Sequence, residues 1–138
     1  MSEMRRHPTL VSLCAVLLSL GACSGARPPA AATLHYQRIV LSPEPVEQPL
    51  LTGPPQTAGM RSGKVALGPG GHMHQHSTLG NEELLLFLRG KARVVLGAET
   101  VLMEAGEVLY IPPQTEHEVH NDGPGELTYI YTVASAGP

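Results

Sequence analysis

Histidines are the residues of this chain best suited to carry chemistry. The 138 residues include seven histidines, against nine Lys and Arg and twelve Asp and Glu. Three of them alternate in the segment His72-Met73-His74-Gln75-His76. Residues two apart on a β-strand point to the same face, so the spacing predicts one face that carries His72, His74 and His76. The alternative interpretation is a solvated or hydrogen-bonded strand face, because imidazoles are costly to bury without partners.

Two later segments bring groups that could be such partners. The run that starts at Glu82-Glu83 continues as Leu-Leu-Leu-Phe-Leu, which is apolar on both faces and predicts a central strand with Glu83 pointing the same way as Phe87. A carboxylate at the start of that strand needs a cation or hydrogen bonds. The third contribution is His117, which follows a glycine turn, a short apolar run and a Pro-Pro break.

Short strands are the elements predicted to position these groups. Fifteen glycines and thirteen prolines require frequent turns, and no segment of ten or more residues has helical spacing. From Met60 onward, short apolar runs alternate with turn residues, including a hairpin around Gly97-Ala98. The pattern predicts an antiparallel all-β sandwich or barrel.

The order and spacing of these residues resemble the two motifs of the cupin superfamily. The first motif, Gly, five residues, His-x-His, three or four residues, Glu, six residues, Gly, is matched by Gly68, His74, His76, Glu83 and Gly90. The second motif, Gly, five residues, Pro-x-Gly, two residues, His, three residues, Asn, is matched by Gly106, Pro112, His117 and Asn121. The resemblance covers roughly residues 60–133 and implies an antiparallel double-stranded β-helix, or jelly-roll barrel.

The chain departs from the cupin pattern at two points. The interval from His76 to Glu83 is two or three residues longer than in the motif, and Gln114 stands where the second motif has glycine. The longer interval, His-Ser-Thr-Leu-Gly-Asn-Glu-Glu, resembles a bacterial cupin subgroup with an "HST…NEE" signature. It leaves Glu82 as an alternative to Glu83 as the carboxylate.

The resemblance implies one divalent transition metal in the barrel. Its ligands would be His74, His76, Glu83 and His117, which fill four positions of an octahedron and leave two open. Nitrogen and oxygen ligands without thiolate do not distinguish iron, manganese, nickel, copper and zinc.

Four further residues are candidates for the surroundings of the metal. His72 lies outside the motif. It is interpreted as a residue that hydrogen-bonds to a metal ligand, as a base at the rim of the pocket, or as a surface residue. Tyr110, Tyr129 and Tyr131 are expected to line the barrel, where core packing is the alternative to contact with a ligand. His120 is expected to point away from His117 and to be exposed.

The first residues have the pattern of an export signal. Arg5 and Arg6 precede an apolar stretch from Leu10 to Leu20, which is shorter than the ~20 residues that span a bilayer. The following Gly-Ala-Cys resembles the lipobox of bacterial lipoproteins and predicts a signal peptide over residues 1–22 and lipidation of Cys23. The resemblance implies anchoring in the cell envelope, at the outer membrane facing the periplasm if two membranes are present.

The remaining chain divides into three parts. Residues 23–33 are predicted to be a lipidated tether, because they are small and proline-containing. Residues 34–59 are predicted to form an N-terminal arm with a first strand over Leu34–Leu41 and a proline-rich segment that is loop or edge strand. Residues 60–134 would be the cupin domain.

Charge and composition narrow the function. The formal net charge is −3 and the sequence has no run of basic residues. It therefore lacks the basic surface that nucleic-acid binding requires. The resemblance favours a metal-dependent cupin that acts on a small molecule, dioxygenase- or isomerase-like, and implies a possible homodimer. The alternatives are a non-catalytic module that binds or senses a small molecule and, third, a structural cupin without metal.

Overall fold

The computed structural model describes residues 34–137, and every helix or strand in that range is a β-strand. Alternation of inward apolar and outward side chains, interrupted by glycine and proline turns, is the pattern that forms such strands. The nine strands are β1 (Gln48–Thr52), β2 (Arg61–Leu67), β3 (His72–Ser77), β4 (Asn81–Arg89), β5 (Lys91–Leu96), β6 (Glu99–Glu104), β7 (Val108–Ile111), β8 (Glu116–His120) and β9 (Leu127–Ser135).

The strands form two sheets in which all pairs are antiparallel. One sheet has the order β1-β2-β9-β4-β7 and the other the order β3-β8-β5-β6. The predicted hairpin at Gly97-Ala98 joins β5 to β6. The all-β, antiparallel jelly-roll fold predicted from the sequence is therefore confirmed.

The core lies on the inner faces of the sheets, and β4 shows why. This strand has neighbours on both sides, β9 and β7, as its apolar run predicts. Leu85 and Phe87 are at most 1% exposed, whereas Leu84 and Leu88 on the opposite face are about 40% exposed. The rest of the buried apolar core comes from six other strands and consists of Val65, Ala92, Val94, Met103, Ile111, Val119, Leu127 and Tyr129.

The N-terminal arm differs from its prediction in one part. Residues 34–41 form no strand, so the prediction of a strand over Leu34–Leu41 is wrong. The physical reason is that this segment pairs with no sheet edge, and Tyr36 is fully exposed. The proline-rich segment does contribute an edge strand, β1, which pairs with β2. Lys64 of β2 donates to the carbonyls of Ser42 and Glu44 at 2.8 and 2.7 Å and so ties the arm to the sheet.

Asn121 closes the end of the barrel just beyond β8. Its side chain is 1% exposed, and its amide nitrogen donates to the carbonyls of Leu67, Gly68 and Gly125 at 2.8 to 3.0 Å. Its side-chain oxygen accepts from the backbone N–H of Gly123. The buried amide of Asn121 thus bonds to backbone groups at the end of β2 and in the loop between β8 and β9, which gives a buried polar group the partners that it requires.

The segment that leads into β8 carries strain at Gln114. This residue has a φ of 59°, in the left-handed region that disfavours side chains, at the position where the second cupin motif has glycine. Its backbone N–H donates to the carbonyl of Leu79 at 2.8 Å, and Leu79 also has a positive φ of 51°. The hydrogen bond joins the turn before β8 to the turn between β3 and β4.

Replacement of Gln114 by glycine is expected to raise the free energy of unfolding by about 1 kcal/mol. The left-handed conformation costs a residue with a side chain roughly 1–2 kcal/mol, and the greater freedom of glycine in the unfolded chain offsets part of the gain. Urea denaturation measures the change. The matched control is Thr100→Gly in β6, which should lower stability; a loss of stability in Gln114→Gly as well would contradict the strain argument.

Several predictions concern residues outside the described range. The signal peptide over residues 1–22, the tether over residues 23–33 and lipidation of Cys23 belong to that part of the chain. Within residues 34–137, no helix is present that is long and apolar enough to cross a membrane.

Candidate metal centre

Three side chains from three strands converge at one end of the barrel. His76 of β3, Glu83 of β4 and His117 of β8 each place a ligand atom within 4.8 Å of the other two. The Nε2 atoms of His76 and His117 lie 4.0 and 3.3 Å from the same oxygen, Oε2 of Glu83. Glu83 and His117 are buried, while His76 is half-exposed. The cluster is therefore anchored in the core and open on one side.

Strand pairing explains why these three side chains meet. His76 and His117 are direct partners in the β3–β8 pair, and their ring centroids lie 4.2 Å apart. Glu83 comes from the other sheet, on the inner face of β4 that also carries Leu85 and Phe87. The centre thus lies between the two sheets.

Backbone carbonyls orient both imidazoles. Nδ1 of His76 lies 2.9 Å from the carbonyl oxygen of His74, and Nδ1 of His117 lies 3.4 Å from that of Thr115. A proton on Nδ1 leaves Nε2 with its lone pair free, which is how protein imidazoles usually present themselves to a metal. Both Nε2 atoms then face the carboxylate.

The donor set fits a divalent transition metal. Two ligands about 2.1 Å from one ion lie at most about 4.2 Å apart, and both distances from the imidazoles to Glu83 are within that limit. Two imidazoles and one carboxylate with open positions form the ligand set typical of non-haem iron. The same donors also suit manganese, nickel, copper and zinc, so the set does not identify the metal.

His74 is not brought into this cluster. A register shift between Met73 and His76 places His74 and Gln75 opposite a single residue of β8. This bulge reverses the alternation, so that Met73 and His76 both face the cavity while His74 contacts His72, with ring centroids 4.9 Å apart. The prediction that three histidines share one face is wrong, because a bulge cannot be read from a period of two. His74 as a fourth ligand remains a prediction of the sequence.

His72 lies away from the cavity, on the side of β3 that carries His74. Its ring stacks on that of His120 at 5.6 Å, and His120 lies 3.1 Å from a carboxylate oxygen of Glu118. His72 is exposed, so the structure gives it a surface position rather than a place behind the ligands or at the pocket rim.

Glu82 and Tyr110 lie on the outer face of the five-stranded sheet. The Tyr110 hydroxyl donates to Oε2 of Glu82 at 3.0 Å, and this hydrogen bond raises the pKa of the Tyr110 phenol. Tyr110 is 54% exposed. The prediction that Tyr110 lines the barrel is therefore wrong, since its neighbour Ile111 points inward. The carboxylate in the cluster is that of Glu83 rather than that of Glu82.

A cavity of about 320 Å³ adjoins the three ligands. Tyr129 and Tyr131 of β9 both line it. Burial raises the pKa of the Tyr129 phenol, and the nearby charge of Glu83 raises it further, so this phenol stays protonated at neutral pH. The remaining walls are largely apolar, with Val65, Met73, Leu85, Val119 and Val133.

Two residues of β2 escaped the sequence prediction, one that packs beside Tyr131 and one that lines the cavity. Gly63 leaves room for Tyr131, because a Cβ atom on Gly63 would lie 2.7 Å from the tyrosine ring. Arg61 lines the cavity and shares the inward parity of Val65. Its spacing of four residues from Val65 could have indicated that Arg61 points into the barrel. An arginine at the start of a strand is, however, typical of a solvated strand end.

Comparison with known proteins agrees with this fold. The Cupin_2 family model, described as a cupin domain, matches residues 63–133. A cupin protein from Bacteroides fragilis superimposes with a TM-score of 0.63 at 22% identity, over 74% of this chain and 86% of that one. A Cupin 2 conserved barrel domain protein from Salinispora arenicola gives 0.61 at 20% identity, over 74% and 92%. At these identities the likeness concerns the fold.

Among curated proteins, the uncharacterized protein MJ1618 of Methanocaldococcus jannaschii is 34% identical over 59 residues. The match spans 43% of this chain and 46% of that protein. This chain therefore matches less than half of its relative's length.

Metal content of histidine variants tests the cluster. Replacement of His76 or His117 by alanine should abolish stoichiometric binding of a divalent transition metal, because each removes one of three converging ligands. Replacement of His74 should leave one metal per chain, with His72→Ala as the matched control. Elemental analysis after metal loading and gel filtration gives the readout. A loss in His74→Ala as large as in His76→Ala would place His74 in the coordination sphere instead.

Proposed function

This chain belongs to the cupin family, and we propose that it is an exported, lipid-anchored cupin of the "HST…NEE" subgroup that binds one divalent transition metal and a small molecule. The observation that carries the proposal is the convergence of two imidazole Nε2 atoms on one buried carboxylate oxygen beside a cavity of about 320 Å³. A volume of this size is at the lower end for small-molecule sites.

His76, Glu83 and His117 would hold the metal, which when bound supplies an electrophilic centre with open positions. The chain's own residues do the rest. Apolar side chains form part of the wall, and the protonated Tyr129 phenol is available as a hydrogen-bond donor in the cavity that Glu83 also lines. This arrangement supports dioxygenase- or isomerase-like activity on a small molecule.

A non-catalytic binding or sensing module is the second candidate, and the cavity lining favours it. Within the described residues, the titratable groups that line the cavity are the three ligands, Arg61 and two tyrosines. An arginine and a buried, protonated phenol do not accept protons near neutral pH. A general base other than a ligand is therefore not part of this lining.

Native purification discriminates between the two candidates. We expect the full chain, extracted in detergent without chelator, to carry about one transition-metal ion per chain by elemental analysis and a small organic molecule by mass spectrometry. Metal-dependent oxygen uptake or conversion of the co-purified molecule supports an enzyme, whereas its recovery unchanged after incubation in air supports a binding module. Protein that stays metal-free after incubation with iron, manganese, nickel, copper and zinc contradicts the metal centre.

The proposed anchor is tested at Cys23. Replacement of Cys23 by alanine should move the protein from the membrane fraction to the soluble fraction and remove the mass of the acyl chains, since stable anchoring requires more than one chain on this residue. Cys14→Ala is the control, because Cys14 lies in the signal peptide and would be absent from the mature protein. A wild-type protein whose mature mass shows no acyl chains on Cys23 would contradict lipidation.

A further inference from the structure

We propose that the small molecule bound in this cavity is a carboxylate and that Arg61 binds its carboxyl group. The inference deepens the function proposed above and rests on it, because the same cavity holds the metal ligands. Arg61 is the first residue of β2 and the one cationic side chain among the described residues that line the cavity, the imidazoles aside.

Strand register places Arg61 in one row with the metal centre. Arg61 of β2 pairs with Val133 of β9, and Val133 pairs with Glu83 of β4. Neighbouring strands are about 4.8 Å apart, so the backbones at Arg61 and Glu83 are separated by roughly 10 Å. Val133 lines the cavity between them. A small molecule of a few carbon atoms can therefore reach both the guanidinium and the metal.

The guanidinium of Arg61 is not neutralised by the protein. Among residues 34–137, no carboxylate oxygen lies within 4.0 Å of it, whereas Arg89 and Arg93 have such partners in Glu126 and Asp122. The aliphatic part of Arg61 passes close to Gly53, where a Cβ atom would lie 3.4 Å from Cγ. The aliphatic part of the side chain thus lies against backbone, while the guanidinium of this exposed residue is left without a counterion.

The charge of the cavity favours an anion. Glu83 is the acidic residue that lines it. A divalent ion with one carboxylate and two neutral imidazoles keeps one positive charge, and Arg61 adds a second. An anionic ligand is therefore attracted at both ends of the row, while the Val133 side chain between them suits an aliphatic body.

A carboxylate fits these contacts better than a phosphate group. Guanidinium binds either anion through two parallel hydrogen bonds. A doubly charged phosphate is usually held by several cations or by a cluster of backbone N–H groups at one place. At its own end of the row, Arg61 is a single cation, and it lies on a strand whose N–H groups belong to the sheet. One arginine matches one negative charge.

Binding of matched probes to the metal-loaded full chain in detergent tests the inference. Calorimetric titrations compare butyrate with its neutral isostere butyramide and with methyl phosphate. We expect butyrate to bind more tightly than the other two. In Arg61→Gln, butyrate affinity should fall about tenfold or more, while butyramide affinity and metal stoichiometry are unchanged. Arg89→Gln, on an exposed and paired arginine, should behave as wild type.

The possible outcomes distinguish failure of the carboxylate assignment from failure of the metal centre. Equal butyrate affinity in wild type and Arg61→Gln, a preference for methyl phosphate, or no binding of butyrate to wild type would overturn the carboxylate assignment and leave the metal site standing. Protein without metal would contradict the proposed function. The ratio of butyrate affinity to butyramide affinity, measured on the metal-free chain, would then show whether Arg61 binds the carboxyl group. Arg61→Lys keeps the charge without the two parallel donors and should have intermediate affinity, which guards against misfolding of the glutamine variant.

Discussion

Glu83 is 6% exposed and lies on the inner face of the barrel. Leu85, Val133 and Tyr129 line the same cavity. Burial of an ionised carboxylate costs several kcal/mol unless charges or hydrogen bonds compensate. Neutral imidazoles with the proton on Nδ1 turn only Nε2 lone pairs toward Glu83, at 4.0 and 3.3 Å from one of its oxygens, so the compensating charge would come from a bound cation. Because those imidazoles come from the other sheet, such a cation would be held where the two sheets meet.

The bulge in β3 is the local solution to that constraint. A regular strand would turn His74 and His76 to the same face, and only one of them pairs directly with His117. The extra residue brings Met73 and His76 inward together and leaves His74 beside His72 on the outside. It also places the carbonyl of His74 within 2.9 Å of Nδ1 of His76. The same distortion that removes one imidazole from the cavity therefore orients the next one.

The sequence predicted what depends on local periodicity and missed what depends on pairing. The alternation along β4 correctly predicted that Glu83, Leu85 and Phe87 share one face, because side chains two apart on a strand point the same way. Leu34–Leu41 has a strand-like pattern but meets no partner edge. In the run Val108–Ile111 all four residues are apolar, so its sequence could not tell that Tyr110 faces outward. The β3 bulge and the cavity position of Arg61 likewise follow from neighbouring strands.

The division of the site between the sheets links binding to folding. Glu83 and Arg61 lie on the five-stranded sheet, whereas His76 and His117 lie on the four-stranded sheet. An ion held by Glu83 and both imidazoles crosslinks β3 and β4 to β8, where His117 lies more than thirty residues beyond Glu83 along the unfolded chain. Since the unfolded chain offers no such convergence, an ion at one hundred times its dissociation constant stabilises the fold by about 2.7 kcal/mol. The buried carboxylate, a cost in the metal-free barrel, then becomes part of what holds the two sheets together.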